Sequence, residues 1–261
     1  MDVVRKTVNY RERDNIYRKD FLHLLLQLKN RGVVADDEMI METDEDKKKT
    51  RSFLTFNELA AQCFVFFLAG YETSATTMTF ALLELALNQD IQETLREEIR
   101  TVLKKHENMI TYESIMDMVY LDKVIYETLR LHPPIPGVPR VCNKDYPIPG
   151  TNVVIEEGTR LHIPIYGIHT DPDYYPEPEK RFSEENKAKR PSFAFLPFGE
   201  GPRICIGARF AMMQSKVGLV TIIKNYAVTI NEKTITPIKQ DTGTFIMGVK
   251  GGVWLNVSKI E

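Results

Sequence analysis

The run Phe198-Gly199-Glu200-Gly201-Pro202-Arg203-Ile204-Cys205-Ile206-Gly207 places one thiol, one guanidinium and three glycines in a single short stretch. A lone cysteine is more often an inert core residue than a ligand, but these surroundings reverse that expectation. Gly199, Gly201 and Gly207 let the backbone turn tightly and approach a flat ligand. The cysteine comes just before a predicted helix, whose first amides and dipole favour a thiolate over a thiol. Arg203, two residues earlier, offers a cationic fork for a carboxylate. The chemistry such a loop can do is to present sulfur to a metal and to anchor an acidic cofactor beside it.

Three other sets of residues are chemically pointed. Ala69-Gly70-Tyr71-Glu72-Thr73-Ser74 puts an acid and an alcohol inside an apolar helical stretch. Such a pair is compatible with plain surface polarity or with a local bond back to the helix. Gly70, however, costs about 1 kcal/mol of helix stability relative to alanine, which suggests an opening placed there for a reason. Glu127-Thr128-Leu129-Arg130 sets Glu127 and Arg130 on one helix face at i, i+3. Pairs of this kind are commonly surface salt bridges worth less than ~1 kcal/mol. Arg140 stands in Pro139-Arg140-Val141-Cys142, where the simplest reading is an exposed strand arginine. The five histidines share no ligand spacing and read as ordinary surface or core residues, and Trp254 as a core residue of the last strand.

Taken together, these motifs resemble the cytochrome P-450 superfamily of haem-thiolate monooxygenases. The cysteine loop is similar to the family's FxxGxRxCxG signature at every fixed position. The resemblance implies Cys205 as axial thiolate of haem b (iron protoporphyrin IX), Arg203 on a haem propionate and Phe198 packed over the sulfur side of the iron. It implies that Ala69 and Gly70 line the oxygen pocket while Glu72 and Thr73 serve proton delivery. Glu127 and Arg130 then form a structural network with an arginine of the proline-rich meander, for which Arg181 is the candidate. Arg140 becomes a second propionate ligand, and residues 133–138 border the substrate pocket. The phrase Arg18-Lys19-Asp20-Phe21 and the Leu-rich helix after it resemble the insect microsomal enzymes that oxidise plant toxins and insecticides. Dioxygen, a small apolar substrate, an NADPH-dependent reductase and the cytosolic face of the endoplasmic reticulum membrane follow from the same resemblance. The rival functions are a truncated, inactive remnant that binds haem weakly or not at all, and a haem sensor or electron carrier.

Elements that would position these residues are legible from periodicity and punctuation. Residues 10–30 read as one helical segment ending at Gly32, and residues 35–52 as a solvated loop. Thr55 and Glu58 have capping-box spacing and open a helix that meets no proline before about Asn88. That helix is apolar nearly all round and is expected to run through the middle of something large. A helix from Asp90 sets Ile91, Leu95, Ile99 and Val102 inward, and another runs from about Tyr120 to Pro133. Short strands are expected at Val153 to Ile155, Leu161 to Ile163, Tyr226 to Ile230 and Val253 to Val257, with a helix from the cysteine loop to about Lys224. The architecture is therefore mainly α (α+β), a long central helix and a cysteine-loop helix with small β-sheets. By resemblance it is the C-terminal part of the family fold, one partial domain over residues 1–261.

Bulk properties exclude several alternatives. Thirty-four basic against 36 acidic residues give a net charge of −2 and no reason to propose nucleic acid or an anionic surface as partner. Cys63, Cys142 and Cys205 form no CxxC pair, which argues against a disulfide framework and structural zinc and for a reducing, cytosol-facing compartment. The most apolar stretch, Leu59 to Gly70, is shorter than the roughly 20 residues a bilayer needs, so no membrane anchor is expected in this chain. The resemblance reaches across the chain but only about half of the family pattern, which predicts open strand edges near 153–163 and one uncovered side on the long helix. The meander also runs about four residues shorter than the family pattern before Arg181.

Overall fold

The computed structural model describes residues 1–34, 53–175, 191–241 and 243–260. The expected loop at 35–52, and Arg181 with most of the meander, lie outside the described residues. The chain divides into two compact units, Met1–Gly70 and Tyr71–Glu261.

In the first unit, α1 (Asp2–Arg13) and α2 (Phe21–Arg31) replace the single helical segment expected over residues 10–30. The break has a local cause. Asn15 takes a left-handed φ of 49°, and Asp20 then caps α2 by accepting the His23 amide at 3.0 Å. Asp20 also receives both arms of Arg11, at 2.8 and 2.7 Å, which ties the end of α1 to the start of α2. Val8, Leu25, Leu26 and Leu59 form the small apolar centre of this unit.

The long helix α3 (Phe56–Leu87) opens as expected. The Glu58 amide donates to Thr55 Oγ1 at 3.3 Å, and the Thr55 amide donates to Glu58 Oε2 at 2.8 Å. Its 32 residues span about 48 Å at ~1.5 Å each. The expectation of burial along its whole length fails. Phe64, Val65, Phe67, Leu68 and Tyr71 are exposed, and after Leu59 and Ala60 the next buried position is Ser74. The uncovered side predicted for this helix is thus the side of its first half.

The second unit holds the main core. Leu85 of α3, Leu95 and Ile99 of α4 (Gln89–Lys105), Leu121 and Ile125 of α6 (Val119–Leu131), and Leu219 and Ile223 of α8 (Ala208–Ile223) meet there. A Cβ on Gly218 of α8 would run into the Met78 sulfur, so the missing side chain lets α3 and α8 approach closely. On α4 the inner face differs from the expected one. Ile91 is exposed, and the polar Gln92 and Arg96 are buried instead. They are buried because they are satisfied. Gln92 bonds both the amide and the carbonyl of Val228, and Arg96 donates to the carbonyls of Ile223 and Tyr226.

The short helix α5 (Tyr112–Met116) begins at a Thr111–Ser114 capping box. The start of α6 is held by Glu98, which accepts the amides of Tyr120 and Leu121 at 2.6 and 2.9 Å. Beyond α6 the chain forms β1 (Val138–Val141), β2 (Tyr146–Pro147), β3 (Val154–Ile155), β4 (Arg160–Ile163) and α7 (Ile165–Thr170). After α8 come β5 (Tyr226–Ile230), β6 (Gln240–Asp241), β7 (Gly248–Val249) and β8 (Leu255–Lys259). They pair antiparallel as β1–β4, β2–β3, β5–β8 and β6–β7, each a two-stranded ribbon whose outer edges pair with no other strand among the described residues. Trp254, expected as a core residue of the last strand, lies elsewhere. It precedes β8, is 52% exposed, and lies under Lys233 rather than in the core. No described helix is long and apolar enough to cross a membrane.

Candidate functional site

Cys205 sits at the end of a loop closed by its own backbone. Gly199 and Gly201 adopt φ values of 72° and 76°, a left-handed conformation that side chains resist, and a 3-10 turn over Gly201–Arg203 follows. The Cys205 amide donates back to Phe198 O at 2.8 Å, and the Gly199 amide to Leu196 O at 3.1 Å. These bonds fix both ends of the loop before any ligand is considered. The thiol itself is free and exposed.

The sulfur stands before α8, as the spacing required. Gly207 is the N-cap and provides no side-chain cap, so the first amides of α8 keep their preference for an anion nearby. A Cβ on Gly207 would lie 4.0 Å from Cys205 Sγ, in ordinary contact with the sulfur. Ile204 and Ile206, the sequence neighbours of Cys205, and Phe210 in the first turn of α8 are exposed, Ile206 at 88%. An exposed thiol flanked in sequence by exposed apolar residues suits a flat apolar partner. Arg203, also exposed, offers its charge beside them. Phe198 is half-buried and packs against the core formed by α3, α4, α6 and α8.

Among the described residues no cluster of three or more His, Cys, Asp or Glu can hold a metal ion. Cys205 itself offers one sulfur donor. It fits an ion that brings its own equatorial ligands, as the iron of a porphyrin does. Cys63 differs in kind. It packs beside Leu59 in the first unit, where burial pushes its thiol up. An open cleft of about 940 Å³ lies between α5, α6, the cysteine loop and α8, lined by Tyr112, Tyr126, Phe198, Met212 and the Lys216–Asp122 ion pair. Cys205 does not line it, so the cleft is not the space in front of the sulfur.

The remaining predicted residues fall as follows. Thr73 is half-buried on α3, and the Thr77 hydroxyl donates to its carbonyl at 3.0 Å. Glu72 is exposed. Ala69 and Gly70 occupy the preceding turn of the helix, within the first unit. Glu127 and Arg130 are joined by two bonds of 2.7 Å, and Arg130 is 4% exposed, so this is no surface pair. Arg140 is half-buried in β1, opposite Leu161, and donates to Pro139 O at 2.8 Å.

Two residues escaped the sequence reading. His169 and Tyr175 are both buried and both bond the backbone that leads into the cysteine loop. Their positions carry no spacing signal, because their partners are main-chain groups about 20 to 30 residues away.

Residues 2–255 match the family model described as Cytochrome P450. Probable cytochrome P450 6a13 and Cytochrome P450 6a2 of Drosophila melanogaster are each 45% identical over 100% of this chain, which covers 50% and 51% of those proteins. Cytochrome P450 6k1 of Blattella germanica is 43% identical over 97% of this chain and 50% of its own length. The chain spans about half the length of the curated relatives it matches.

Proposed function

Because this chain belongs to the cytochrome P450 family, we propose that it carries the thiolate side of a haem monooxygenase acting on small apolar molecules. The observation that supports this best is the exposed Cys205 thiol, held by loop backbone at the N-terminus of α8 and flanked in sequence by exposed apolar residues. Cys205 would ligate the iron of haem b, with Arg203 and Arg140 on the propionates and Phe198 over the sulfur. When bound, haem supplies the iron at which dioxygen is reduced and one oxygen atom passes to substrate. Around it, Ala69 and Gly70 would shape the oxygen pocket, while Thr73 and Glu72 hold and pass protons. Glu127 and Arg130 are structural, and Arg181 would be their partner. Electrons would come from an NADPH-dependent reductase, and the setting is the cytosolic face of the endoplasmic reticulum, as for insect microsomal enzymes that oxidise foreign compounds.

The test is the ferrous-carbonyl difference spectrum of the full chain supplied with haem, beside Cys205→Ser. A thiolate-type band that disappears in the variant supports the proposal, and no such band in well-folded, haem-loaded chain would sink it. A second reading is favoured by the exposed apolar face of α3 from Phe64 to Tyr71 and by the edges of the four ribbons, which pair with no other strand among the described residues. In that reading the chain alone is a remnant that encloses haem too poorly for oxygen chemistry. Stoichiometric haem retention through gel filtration would rule it out.

A further inference from the structure

The segment 191–200 contains neither helix nor strand, so no ladder fixes its course. Phe193 even takes a left-handed φ of 66°. Yet this segment sets the direction from which the cysteine loop departs, since Leu196 O accepts the Gly199 amide and Phe198 O accepts the Cys205 amide. Something other than regular secondary structure must hold it. Two buried side chains do so, one accepting and one donating. The Leu196 amide donates to His169 Nε2 at 2.8 Å, and the Tyr175 hydroxyl donates to Ala194 O at 2.6 Å. His169 is 0% exposed and Tyr175 4%.

Both side chains are in turn organised by Arg130. Its Nη1 donates to His169 O at 2.8 Å, and its guanidinium lies 5.2 Å from the centre of the Tyr175 ring. The Arg130 charge is itself met by Glu127 through two bonds. A continuous path therefore runs from α6 through His169 and Tyr175 to residues 194–196, and from there through two backbone bonds to Cys205. Because Nε2 accepts an amide proton, the ring proton of neutral His169 belongs on Nδ1.

We propose that His169 and Tyr175 are positioning residues for Cys205, a two-point latch that fixes the root of the cysteine loop and through it the place of the sulfur. The consequence for iron ligation rests on the function proposed above, whereas the latch itself does not. Removing the His169 acceptor leaves a buried amide without its partner, and that amide will seek water by local opening. The loop then moves while the core of α4, α6 and α8 stays closed.

The experiment uses the full chain with His169→Phe, which keeps an aromatic ring but no acceptor, His169→Gln, which restores an acceptor oxygen, and Tyr175→Phe, which removes only the donor. In haem-free protein, amide exchange at Leu196 and the labelling rate of each cysteine with a disulfide reagent are read by peptide mass spectrometry. His169→Phe should speed exchange at Leu196 by about tenfold or more, the ratio expected from losing about 1.4 kcal/mol of local protection, and change Cys205 labelling several-fold. Cys63 labelling and the amides of α4 should hold, and His169→Gln should recover most of the effect. In haem-loaded protein the same variant should shift the ferrous-carbonyl band from thiolate type toward thiol type. Wild-type exchange at Leu196 and wild-type Cys205 labelling in His169→Phe and Tyr175→Phe would overturn the latch. So would equal acceleration at Cys63 and α4, the mark of a merely structural loss. If His169→Phe does not fold, Tyr175→Phe decides on the same readouts. A chain that never binds haem defeats the functional proposal and leaves the exchange result standing on its own.

Discussion

The approach to Cys205 and the stretch of α3 around Glu72 and Thr73 are supported in opposite ways. The first is irregular backbone held by polar side chains: the half-buried Glu127 and the buried Arg130, His169 and Tyr175 bond or stack upon one another. The second is regular helix whose backbone bonds are internal, yet whose neighbours from Phe64 to Tyr71 are apolar and exposed. Among the described residues, the first region is held by bonds that this chain supplies. The other presents a surface with the composition of an interior and no burial to match. The contrast teaches that the thiolate side of the candidate site can be tested in this chain by itself, while the helix side asks what covers it.

The sharpest way to break the comparison is to remove Arg130. Arg130→Met leaves His169 O without its donor and removes the cation from Glu127, whose side chain is 30% exposed while Arg130 is buried, so the loss falls at the lower end for a broken buried pair, about 3 to 4 kcal/mol. The urea midpoint of the full chain should fall accordingly. Arg140→Met, by contrast, loses one bond to the adjoining Pro139 carbonyl and should cost under about 1 kcal/mol. Equal effects would mean that Arg130 is no more central than a strand arginine. Next in size is Phe80→Ala on the buried half of α3, where the ring is 2% exposed and stacks on His132 at 4.3 Å. Loss of a buried phenylalanine costs about 3 kcal/mol, measurable by the same midpoint.

These expectations also show what could be read from the chain alone. The cysteine loop and the Glu127–Arg130 pair were legible because each is a local pattern, and local spacing survives translation into structure. The boundaries of α3, α6 and α8 were legible for the same reason, through Thr55 with Glu58, the prolines after Leu131 and the glycine before Ala208. What was not legible depends on partners distant in sequence. Nothing in the spacing of Gln92 and Arg96 announces their burial, which depends on Val228, Ile223 and Tyr226 satisfying them from more than 100 residues away. His169 reads as an ordinary histidine until the Leu196 amide reaches it. The exposure of Phe67, at 71%, could not follow from its hydrophobicity, which argued for burial. The split at residues 14–20 was hidden because Asp20 looks like one more charge among Arg18 and Lys19 until it caps α2.

A third prediction concerns pH, since the first unit is fastened by partly exposed ion pairs where the loop is fastened by backbone and buried groups. The hydrogen bond from Arg11 holds the Asp20 carboxylate below its ordinary value of 3.8, and the bond from Lys29 holds Glu12 below 4.5. Both folded values are depressed, so their contribution is fully present above the ordinary values and is lost as pH falls through the lowered ones. Amides of α1 and α2 should exchange faster, after correction for intrinsic rates, as pH drops from 5 toward 3. Asp20→Asn should flatten that response. A response of the same size at the Leu196 amide would erase the distinction between the two kinds of fastening.

The smallest effect belongs to the uncovered face of α3 and is the most telling for it. Phe64 is 62% exposed, so replacing it removes little buried area, and Phe64→Ser should change stability by no more than about 0.5 kcal/mol. A serine in mid-helix costs only a few tenths relative to the best helix formers, which stays within that bound. The same change should lower any self-association seen by sedimentation, because an exposed phenylalanine beside Val65 and Leu68 adds to an apolar patch of the kind that draws surfaces together. If instead Phe64→Ser costs as much as Phe80→Ala, the ring is buried in solution and the helix is covered along its whole length. The two ends of α3 would then be alike, and the unequal support on which the comparison rests would belong to the cysteine loop alone.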